Sequence, residues 1–424
     1  MILYGGETYP SDQQDRLLSD LEKRIDRTLC GEGLSRETVI STVDRLAERI
    51  EAGEFDELIN SFAPDKAQYY KETAVRAMKR ETAHKRLAIE LPEALFSGCT
   101  ERLNKRVFPL GVLFHIAAGN AEGLPALSVY EGLLTGNINI LKLPSADNGL
   151  TLTILRELIR MEPALADYIY VFDTPSTDLE AMKKMAELSD GIAVWGGETA
   201  VSAVRALAKP GTRLIEWGHR LSFAYISGYA DKETELRALA EHIASTGQIL
   251  CSSCQVIYLD IDRLEEAEEF CRDFLPVLDA AAEKYLHLDI GEAAQLSVRR
   301  YCEGLERAAG YTEKSKKRFN GKNSSLTICK SSTLELSDMY ANVLVKRLPE
   351  KHILPVLRRT KSLLQTAGLI CRPESRDRLT ETLLRAGVNR VTLAGSMSVP
   401  ITGEVHDGEY ALRRYVRVTD TENC

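Results

Sequence analysis

Residues 111–144, GVLFHIAAGNAEGLPALSVYEGLLTGNINILKLP, decide the fold of this chain. Two short apolar runs, 112–117 and 138–143, have the length of buried strands, and the segment between them shows helical spacing at about 124–135. A helix of that length can carry the chain from one strand to a parallel neighbour. The stretch therefore predicts a strand–helix–strand unit of a parallel sheet.

The same alternation continues after residue 144. Apolar runs at 168–172, 192–195 and 213–216 alternate with helical patterns at about 148–161, 178–188 and 198–207. Five such units in succession predict an α/β protein with a doubly wound parallel sheet. Because ligands of these sheets bind at the carboxyl ends of the strands, the residues after each strand are candidates for the site. They are Gly119, Asn120, Lys142, Asp173, Gly196, Gly197 and Glu216.

Both flanks of this sheet are expected to have structure of their own. Residues 12–100 show amphipathic helical spacing, which predicts a helical layer for packing or subunit contact. A second α/β lobe is expected after residue 222, with strands at 223–226 and 255–259 and helices at 231–246, 263–284 and 292–309. The polar and basic segment 311–330 predicts a loop, either over a phosphate-bearing ligand or simply solvated.

Composition limits the kinds of partner. The 424 residues carry a formal net charge of −8 and no long basic block, so neither a nucleic acid nor an anionic membrane surface is expected as the main partner. Residues 1–7 do not read as a secretion leader, and no run approaches the roughly 20 apolar residues of a membrane helix. A cytoplasmic protein is expected. Nine cysteines, an odd number, predict mostly reduced thiols.

The stretch GQILCSSCQ, residues 247–255, contains the cysteine with the most chemical promise, Cys251. A redox dithiol with Cys254 is one interpretation, although such motifs usually open a helix after a strand, whereas this one enters a strand. A zinc half-site is a second, but the chain offers no matching ligand pair, and no metal is expected. A single nucleophilic thiolate flanked by the small residues Ser252 and Ser253 is the third. Simple burial in the core is the alternative to all three.

The order Asn120, Lys142, Gly196, Glu216 and Cys251 resembles the aldehyde dehydrogenase superfamily. In detail the chain is similar to the fatty acyl-CoA reductase family typified by the bacterial bioluminescence operon (LuxC-like). The resemblance spans roughly 105–415 and rests on segments 119–120, 133–137, 140–142, 194–198, 215–218, 221–223, 248–255, 387–390 and 406–408. One departure is Val201, which stands where the superfamily's Gly-rich turn has its second glycine.

The resemblance implies a mechanism for three catalytic residues. Cys251 would take the acyl group from a thioester, and hydride from a nicotinamide would reduce the acyl-enzyme to an aldehyde. The Asn120 amide, with the backbone N–H of Cys251, would stabilise the oxyanion. Glu216 would shuttle a proton if partial burial raised its pKa, or would activate water as it does in hydrolytic relatives.

The resemblance also implies a cofactor. Lys142 would reach the adenosine ribose and favour a 2′-phosphate, so NADPH is expected, with NADH as the alternative. The other predicted cofactor-binding residues are Gly196, Gly197, Glu198, Trp217 and Gly218, of which the glycines would let backbone amides approach the pyrophosphate. His406 and Asp407 would either close over the site or form a plain turn.

The expected protein is an aldehyde-dehydrogenase-like reductase of acyl-CoA or of a protein-bound acyl thioester. It would comprise an N-terminal helical region (1–104), a nicotinamide-cofactor domain (105–222), a catalytic thiol domain (223–385) and a C-terminal segment (386–424) that returns to the active-site and cofactor-domain face. Homo-oligomers and an acyl-protein synthetase or acyltransferase partner are expected. An oxidative aldehyde dehydrogenase and a non-catalytic scaffold of a multienzyme complex are the alternative functions.

Overall fold

The computed structural model describes residues 1–62, 67–92, 98–99, 103–117, 123–145, 147–288, 290–310 and 316–422. The chain forms two compact units, Met1–Gly218 with Ile401–Cys424, and His219–Pro400. The division into four functional parts that the sequence predicts stays a prediction.

The bounds of the elements follow the chain. The strands are β1 Ile2–Tyr4, β2 Glu7–Tyr9, β3 Gly98–Cys99, β4 Leu103–Pro109, β5 Val112–Ile116, β6 Ile138–Lys142, β7 Ile169–Phe172, β8 Gly191–Trp195, β9 Arg213–Trp217, β10 Leu221–Ser227, β11 Cys254–Leu259, β12 Lys316–Asn320, β13 Ser325–Cys329, β14 Asn342–Arg347, β15 Leu364–Cys371, β16 Arg390–Leu393 and β17 Val416–Glu422. The helices are α1 Gln14–Leu29, α2 Arg36–Glu51, α3 Asp56–Phe62, α4 Ala67–Met78, α5 Arg80–Glu90, α6 Leu124–Leu134, α7 Leu150–Met161, α8 Leu179–Glu187, α9 Glu198–Leu207, α10 Lys232–Thr246, α11 Glu265–Tyr285, α12 Ile290–Ala308, α13 Ile353–Leu357, α14 Arg376–Ala386 and α15 Ala411–Arg414.

A seven-stranded sheet forms the centre of the first unit, in the order β2-β1-β7-β6-β5-β8-β9. The strands β5 to β9 pair in parallel, and α6 to α9 connect them in turn. The predicted doubly wound sheet is confirmed. Its winding reverses between β5 and β8, which is the place where such sheets form a ligand crevice at their carboxyl ends.

The edge of this sheet has a feature that the sequence did not predict. The chain begins with a hairpin of β1 and β2, and β1 pairs antiparallel with β7, Leu3 opposite Val171. All three residues of β1 are buried. The N-terminal residues thus complete the sheet before the amphipathic helices α1 to α5 begin.

The second unit also contains a seven-stranded sheet, in the order β12-β13-β14-β11-β10-β15-β16. All its pairs are parallel except β12 with β13. The expectation of a loop over 311–330 is wrong for the described part, because β12 and β13 form an antiparallel pair there. The Lys and Arg side chains of β12 suit an edge strand, where charge discourages pairing with another chain.

The C-terminal residues belong to the first unit. There β17 pairs antiparallel with β4, from Val416 opposite Pro109 to Glu422 opposite Leu103. The backbone N–H of Leu412 donates to the buried Glu90 carboxylate at 2.9 Å. Arg86 pairs with Glu90 and with Glu131, so these charges are buried as a compensated group.

Among the described helices, none combines the length and the hydrophobicity that crossing a lipid bilayer requires.

Candidate active site

Cys251 lies at an exposed turn between α10 and β11. Helix α10 ends in a left-handed Gly247 (φ 56°), and Gln248 continues in the same region at φ 62°. Glycine takes this conformation without strain, but glutamine does not. The chain therefore leaves the helix in a sharp bend, and the following residues carry the thiol to the surface.

A buried network of side-chain amides fixes this bend. The Gln248 Nε2 atom donates to the Cys254 carbonyl at 2.7 Å and to the Ser337 hydroxyl at 3.1 Å. Gln255 donates from its Nε2 to the Gln248 carbonyl at 2.6 Å and accepts from the Ser337 hydroxyl at 2.7 Å. The Gln248 Nε2 atom and both ends of the Gln255 amide are thus bonded, and a buried network of this kind specifies one loop geometry. We name these residues, Gln248, Gln255 and Ser337, the amide network.

Ser222 holds the backbone of the cysteine itself. Its hydroxyl donates to the Cys251 carbonyl at 2.7 Å and accepts from the Thr366 N–H at 3.0 Å. The pairing register of β10 shifts next to Ser222 with respect to both neighbouring strands. Such irregularities turn a side chain away from its regular direction. Strand β10, in the interior of the second sheet, thus contacts the loop that carries Cys251.

Cys254 is buried, whereas Cys251 is exposed. The Cys254 side chain is fully buried at the start of β11, and burial raises the pKa of its thiol to about 12. A thiol must ionise to act as a nucleophile or redox partner. The dithiol interpretation is therefore not supported by this geometry.

Three consecutive residues beside the loop adopt left-handed backbone angles. They are Met339, Tyr340 and Ala341, with φ of 60°, 50° and 61°. The Tyr340 N–H donates to the Gly247 carbonyl at 2.9 Å. Each non-glycine residue in this region costs of order 1–3 kcal/mol, and such strain is concentrated at functional sites. The strained turn abuts the residue from which the Cys251 loop departs.

Glu216, near the end of β9, is held by Arg205 of α9. The two carboxylate oxygens accept from Arg205 at 2.5 and 2.6 Å. The hydrogen bonds from Arg205 keep the pKa of Glu216 below its ordinary value and outweigh the opposite effect of partial burial. The expectation that burial raises this pKa is wrong in this arrangement, because Arg205 stabilises the carboxylate form.

Lys142 ends β6 and is almost completely buried. Its Nζ donates to the Ser176 hydroxyl at 3.0 Å, and burial lowers its pKa. Among the described residues its hydrogen-bond partner is this hydroxyl, so two of the three donors of the ammonium group are left for a ligand. Its position at the carboxyl end of the sheet agrees with the predicted region of the site.

The Gly196-Gly197 pair joins β8 to α9. Gly197 precedes the first residue of α9, and a Cβ atom there would meet nothing within 4 Å. A Cβ on Gly196 would lie 3.0 Å from the Ala200 Cβ. The backbone is therefore accessible at the start of a ten-residue helix, where N–H groups attract anions. Glu198 is exposed in the first turn and adds a negative charge at that place.

An aromatic cluster lies beside these glycines at the ends of β8 and β9. Trp195 and Trp217 have ring centroids 5.4 Å apart, and His406 lies 5.3 and 4.9 Å from them. His406 pairs with Glu409 through a turn in which Asp407 (φ 50°) and Gly408 (φ 84°) are left-handed. His406 and Asp407 thus form a turn, which is one of the two predicted alternatives. The ring of His406 packs against Trp195 and Trp217.

A buried polar chain leads from this cluster into the sheet. Trp195 Nε1 donates to the Ser128 hydroxyl at 3.3 Å, and His115 bonds to Ser128 and Asn139 at 2.8 and 3.0 Å. Burial lowers the pKa of His115 to about 4, so the ring is neutral. The arrangement suits a proton on Nε2, with Asn139 as acceptor.

The structure gathers most of the predicted cofactor residues at one edge of the first sheet. Lys142, Gly196, Trp217 and Gly218 all follow or end parallel strands there. Asn120 lies outside the described residues, and Cys251 belongs to the second unit. Ser222 and Gln248 lie in segments that carry the family resemblance, but the sequence assigns them no role. Neither Arg205 nor Ser337 could be recognised from the sequence. Only the folded arrangement pairs these residues with the predicted ones.

The fold and the site define an aldehyde-dehydrogenase-like α/β protein. Over 100% of this chain and 98% of the other, the structure is similar to an NADP-dependent glyceraldehyde-3-phosphate dehydrogenase from Bacillus halodurans complexed with NADP, with a TM-score of 0.73 at 15% identity. An indole-3-acetaldehyde dehydrogenase complexed with NAD⁺ is similar at a TM-score of 0.71 and 13% identity, over 97% and 89% of the two chains.

The model of the acyl-CoA reductase (LuxC) family matches residues 33–418, and the chain belongs to that family. The long-chain acyl-protein thioester reductase of Photorhabdus luminescens is 25% identical over 73% of this chain and 64% of its own length. The long-chain acyl-protein thioester reductase 2 of Photobacterium leiognathi is 22% identical over 75% and 65%. This chain thus spans slightly less than two thirds of the length of these relatives. The resemblance predicted from the sequence is confirmed.

Proposed function

We propose that this protein reduces an acyl thioester to an aldehyde with a nicotinamide cofactor, through an acyl-enzyme on Cys251. The observation that carries the proposal is the exposed thiol on a loop fixed by Ser222 and the amide network. The family and the fold support the same reaction. Cys254 and Cys271 have buried thiols with raised pKa values, whereas Cys30 and Cys302 are exposed as Cys251 is.

The proposed reaction can be written without a metal ion. The Cys251 thiolate attacks the thioester carbonyl, and the carrier thiolate leaves and takes up a proton. A bound reduced nicotinamide would supply the hydride to the acyl-enzyme carbonyl. The oxyanion formed at each addition would be stabilised by the Asn120 amide and the Cys251 backbone N–H. Collapse of the thiohemiacetal releases the aldehyde and restores the thiolate.

NADPH is the proposed cofactor, with NADH as the alternative. Lys142 has the charge to favour a 2′-phosphate, and Gly196 and Gly197 leave the backbone open for a pyrophosphate at the start of α9. The Glu198 carboxylate would repel that pyrophosphate, so a ribose hydroxyl is the group it would bind. The rings of Trp217 and its neighbours border the same strand ends.

The state of Glu216 favours reduction over oxidative release of an acid. A dehydrogenase that hydrolyses its acyl-enzyme needs a base to activate water. Here Arg205 occupies both carboxylate oxygens and lowers the pKa of Glu216, which makes it a poorer base. The acyl-enzyme would survive longer for hydride transfer.

The proposed substrate is a long-chain acyl group on CoA or on a protein thiol. The bacterial relatives are named acyl-protein thioester reductases, which supports the protein-bound form. An acyl-protein synthetase or acyltransferase is the proposed partner, and a homo-oligomer is the proposed assembly.

Mass spectrometry of the intact protein after exposure to an acyl-CoA tests the proposal. We expect one acyl adduct, located on Cys251, and its conversion to aldehyde when NADPH is added. The Cys251→Ala variant should form no adduct. Cys302→Ala is the matched control, because Cys302 is also exposed and should leave the adduct unchanged.

An adduct on Cys302 with none on Cys251 would contradict the assignment of the nucleophile. A lack of both adduct and NADPH or NADH consumption with every acyl chain from acetyl to palmitoyl would contradict the reductase activity itself.

A further inference from the structure

The first unit contains an apolar pocket of about 320 Å³ among its helices. Its walls come from α2, α3 and α4 of the N-terminal region, and from α6 and α7, which flank the central sheet. The pocket is partly open to solvent, because Ala74 in its wall is exposed. An apolar concave site that solvent can reach is the usual form of a binding site for a small molecule.

The wall restricts the chemistry of that occupant. The described lining residues include Val43, Ile50, Leu127 and Ile154, and none of them is charged. A phosphate, a nicotinamide or a free carboxylate would lose its hydration there without compensation. A hydrocarbon group loses nothing and gains contact with aliphatic side chains.

Small residues make the space. Ala74 and Ala77 line the pocket from α4 and Ala126 lines it from α6, while Gly123 lines it as the residue before α6. A cavity of roughly 150 Å³ with a similar apolar lining holds benzene, so this pocket has room for an alkyl segment of roughly ten to twelve carbons.

We propose that this pocket binds the hydrocarbon tail of the acyl substrate, which gives the N-terminal helices a role in selecting chain length. This inference rests on the proposed function for the identity of the ligand. The wall at Gly123 and Leu124 follows the predicted oxyanion residue Asn120 by three to four positions. Pocket and predicted reaction centre thus share the connection from β5 to α6.

Substitutions on α4 test the pocket without touching the proposed catalytic residues. Ala77→Phe fills the pocket and Met78→Ala enlarges it. The control is Ala88→Phe, which makes the same substitution at an exposed position of α5 outside the pocket. For Ala77→Phe we expect kcat/KM with tetradecanoyl-CoA to fall at least roughly tenfold relative to hexanoyl-CoA, since each methylene counts in a hydrophobic pocket. Met78→Ala should shift the optimum towards longer chains, and Ala88→Phe should match the wild type.

A binding measurement separates the pocket from the reaction. 1-Decanol, a neutral chain without a thioester, should raise the Tm of the wild type and of Ala88→Phe but not of Ala77→Phe. Equal stabilisation of all three proteins, or an unchanged chain-length profile in Ala77→Phe, would overturn the inference while leaving the reductase activity in place. If decanol binding depends on Ala77 but no acyl-CoA is reduced, the proposed function fails and the alkyl site remains.

Discussion

At the residue scale, the contact between Arg205 and Glu216 carries the proposed preference for aldehyde over acid as the product. Both oxygens of the carboxylate are committed to the guanidinium, and no described residue other than Arg205 is hydrogen-bonded to them in the structure. Arg205 is a positioning residue: it acts through Glu216 rather than on the substrate.

We predict that Arg205→Gln increases the share of carboxylic acid among the products severalfold. Without the guanidinium, the pKa of Glu216 rises towards its ordinary value and its oxygens can accept a proton from water. Gas chromatography of acid and aldehyde, over a range of pH, measures the ratio. Arg205→Lys keeps the charge and should show a smaller change. An unaltered ratio in Arg205→Gln would mean that the pair is only structural.

The sequence could identify Cys251 and Glu216 but not their environments. Order along the chain placed both near strand ends, and Cys251 is indeed exposed. The partner of Glu216 could not be foreseen, because nothing in the sequence distinguishes Arg205 from a solvated arginine on a surface helix. Its contact depends on how α9 packs against the sheet.

At the element scale, the left-handed turn Met339–Ala341 makes a backbone prediction possible. Replacing the buried Ala341 by glycine should leave the free energy of unfolding nearly unchanged, because relief of the left-handed φ of 61°, worth about 1 kcal/mol, offsets the lost burial of one methyl group, worth about 0.8 kcal/mol. Urea unfolding of the whole chain measures the change.

The same substitution in a helix supplies the control. Ala280 is exposed in α11, and Ala280→Gly should destabilise the protein by about 1 kcal/mol. If Ala341→Gly is destabilising by as much as Ala280→Gly, the turn at 339–341 is not strained.

Elements with a clear period were predictable, and those that depend on distant pairing were not. The five parallel strands of the first sheet and helices such as α9 and α10 lie within about two residues of their predicted bounds. The hairpin β1–β2 was missed because three-residue strands carry almost no period. Strand β12 was mistaken for a loop because its charges lie on a sheet edge, and β17 owes its existence to pairing with β4.

At the scale of the whole molecule, each compact unit contains a buried neutral histidine. His115 lies in the first unit and His242 in the second, and burial lowers the pKa of each from 6.5 to about 4. Between these pH values the unfolded chain binds protons that the folded chain does not. The stabilising contribution is fully present above pH 6.5 and is lost as the pH falls towards 4.

We predict a loss of stability of order 3 kcal/mol per histidine between pH 7 and pH 4. His242 offers the cleaner test, since no described residue bonds to its Nε2. The His242→Leu variant should lose less stability than the wild type over this range, as measured by urea unfolding at several pH values. His84→Leu, at an exposed position, should follow the wild type. Identical pH curves for all three proteins would show that folding does not change the pKa of His242.

The hydroxyl of Ser222 has one hydrogen, and the Cys251 carbonyl takes it. The oxygen can then only receive from Thr366, so the polarity of this relay is settled by the number of hydrogens available. Alanine at position 222 would lose both hydrogen bonds, to the Cys251 carbonyl and from the Thr366 N–H. A side chain with only donors would lose the second. The need for a hydroxyl at position 222 of β10 thus comes from the loop that carries Cys251.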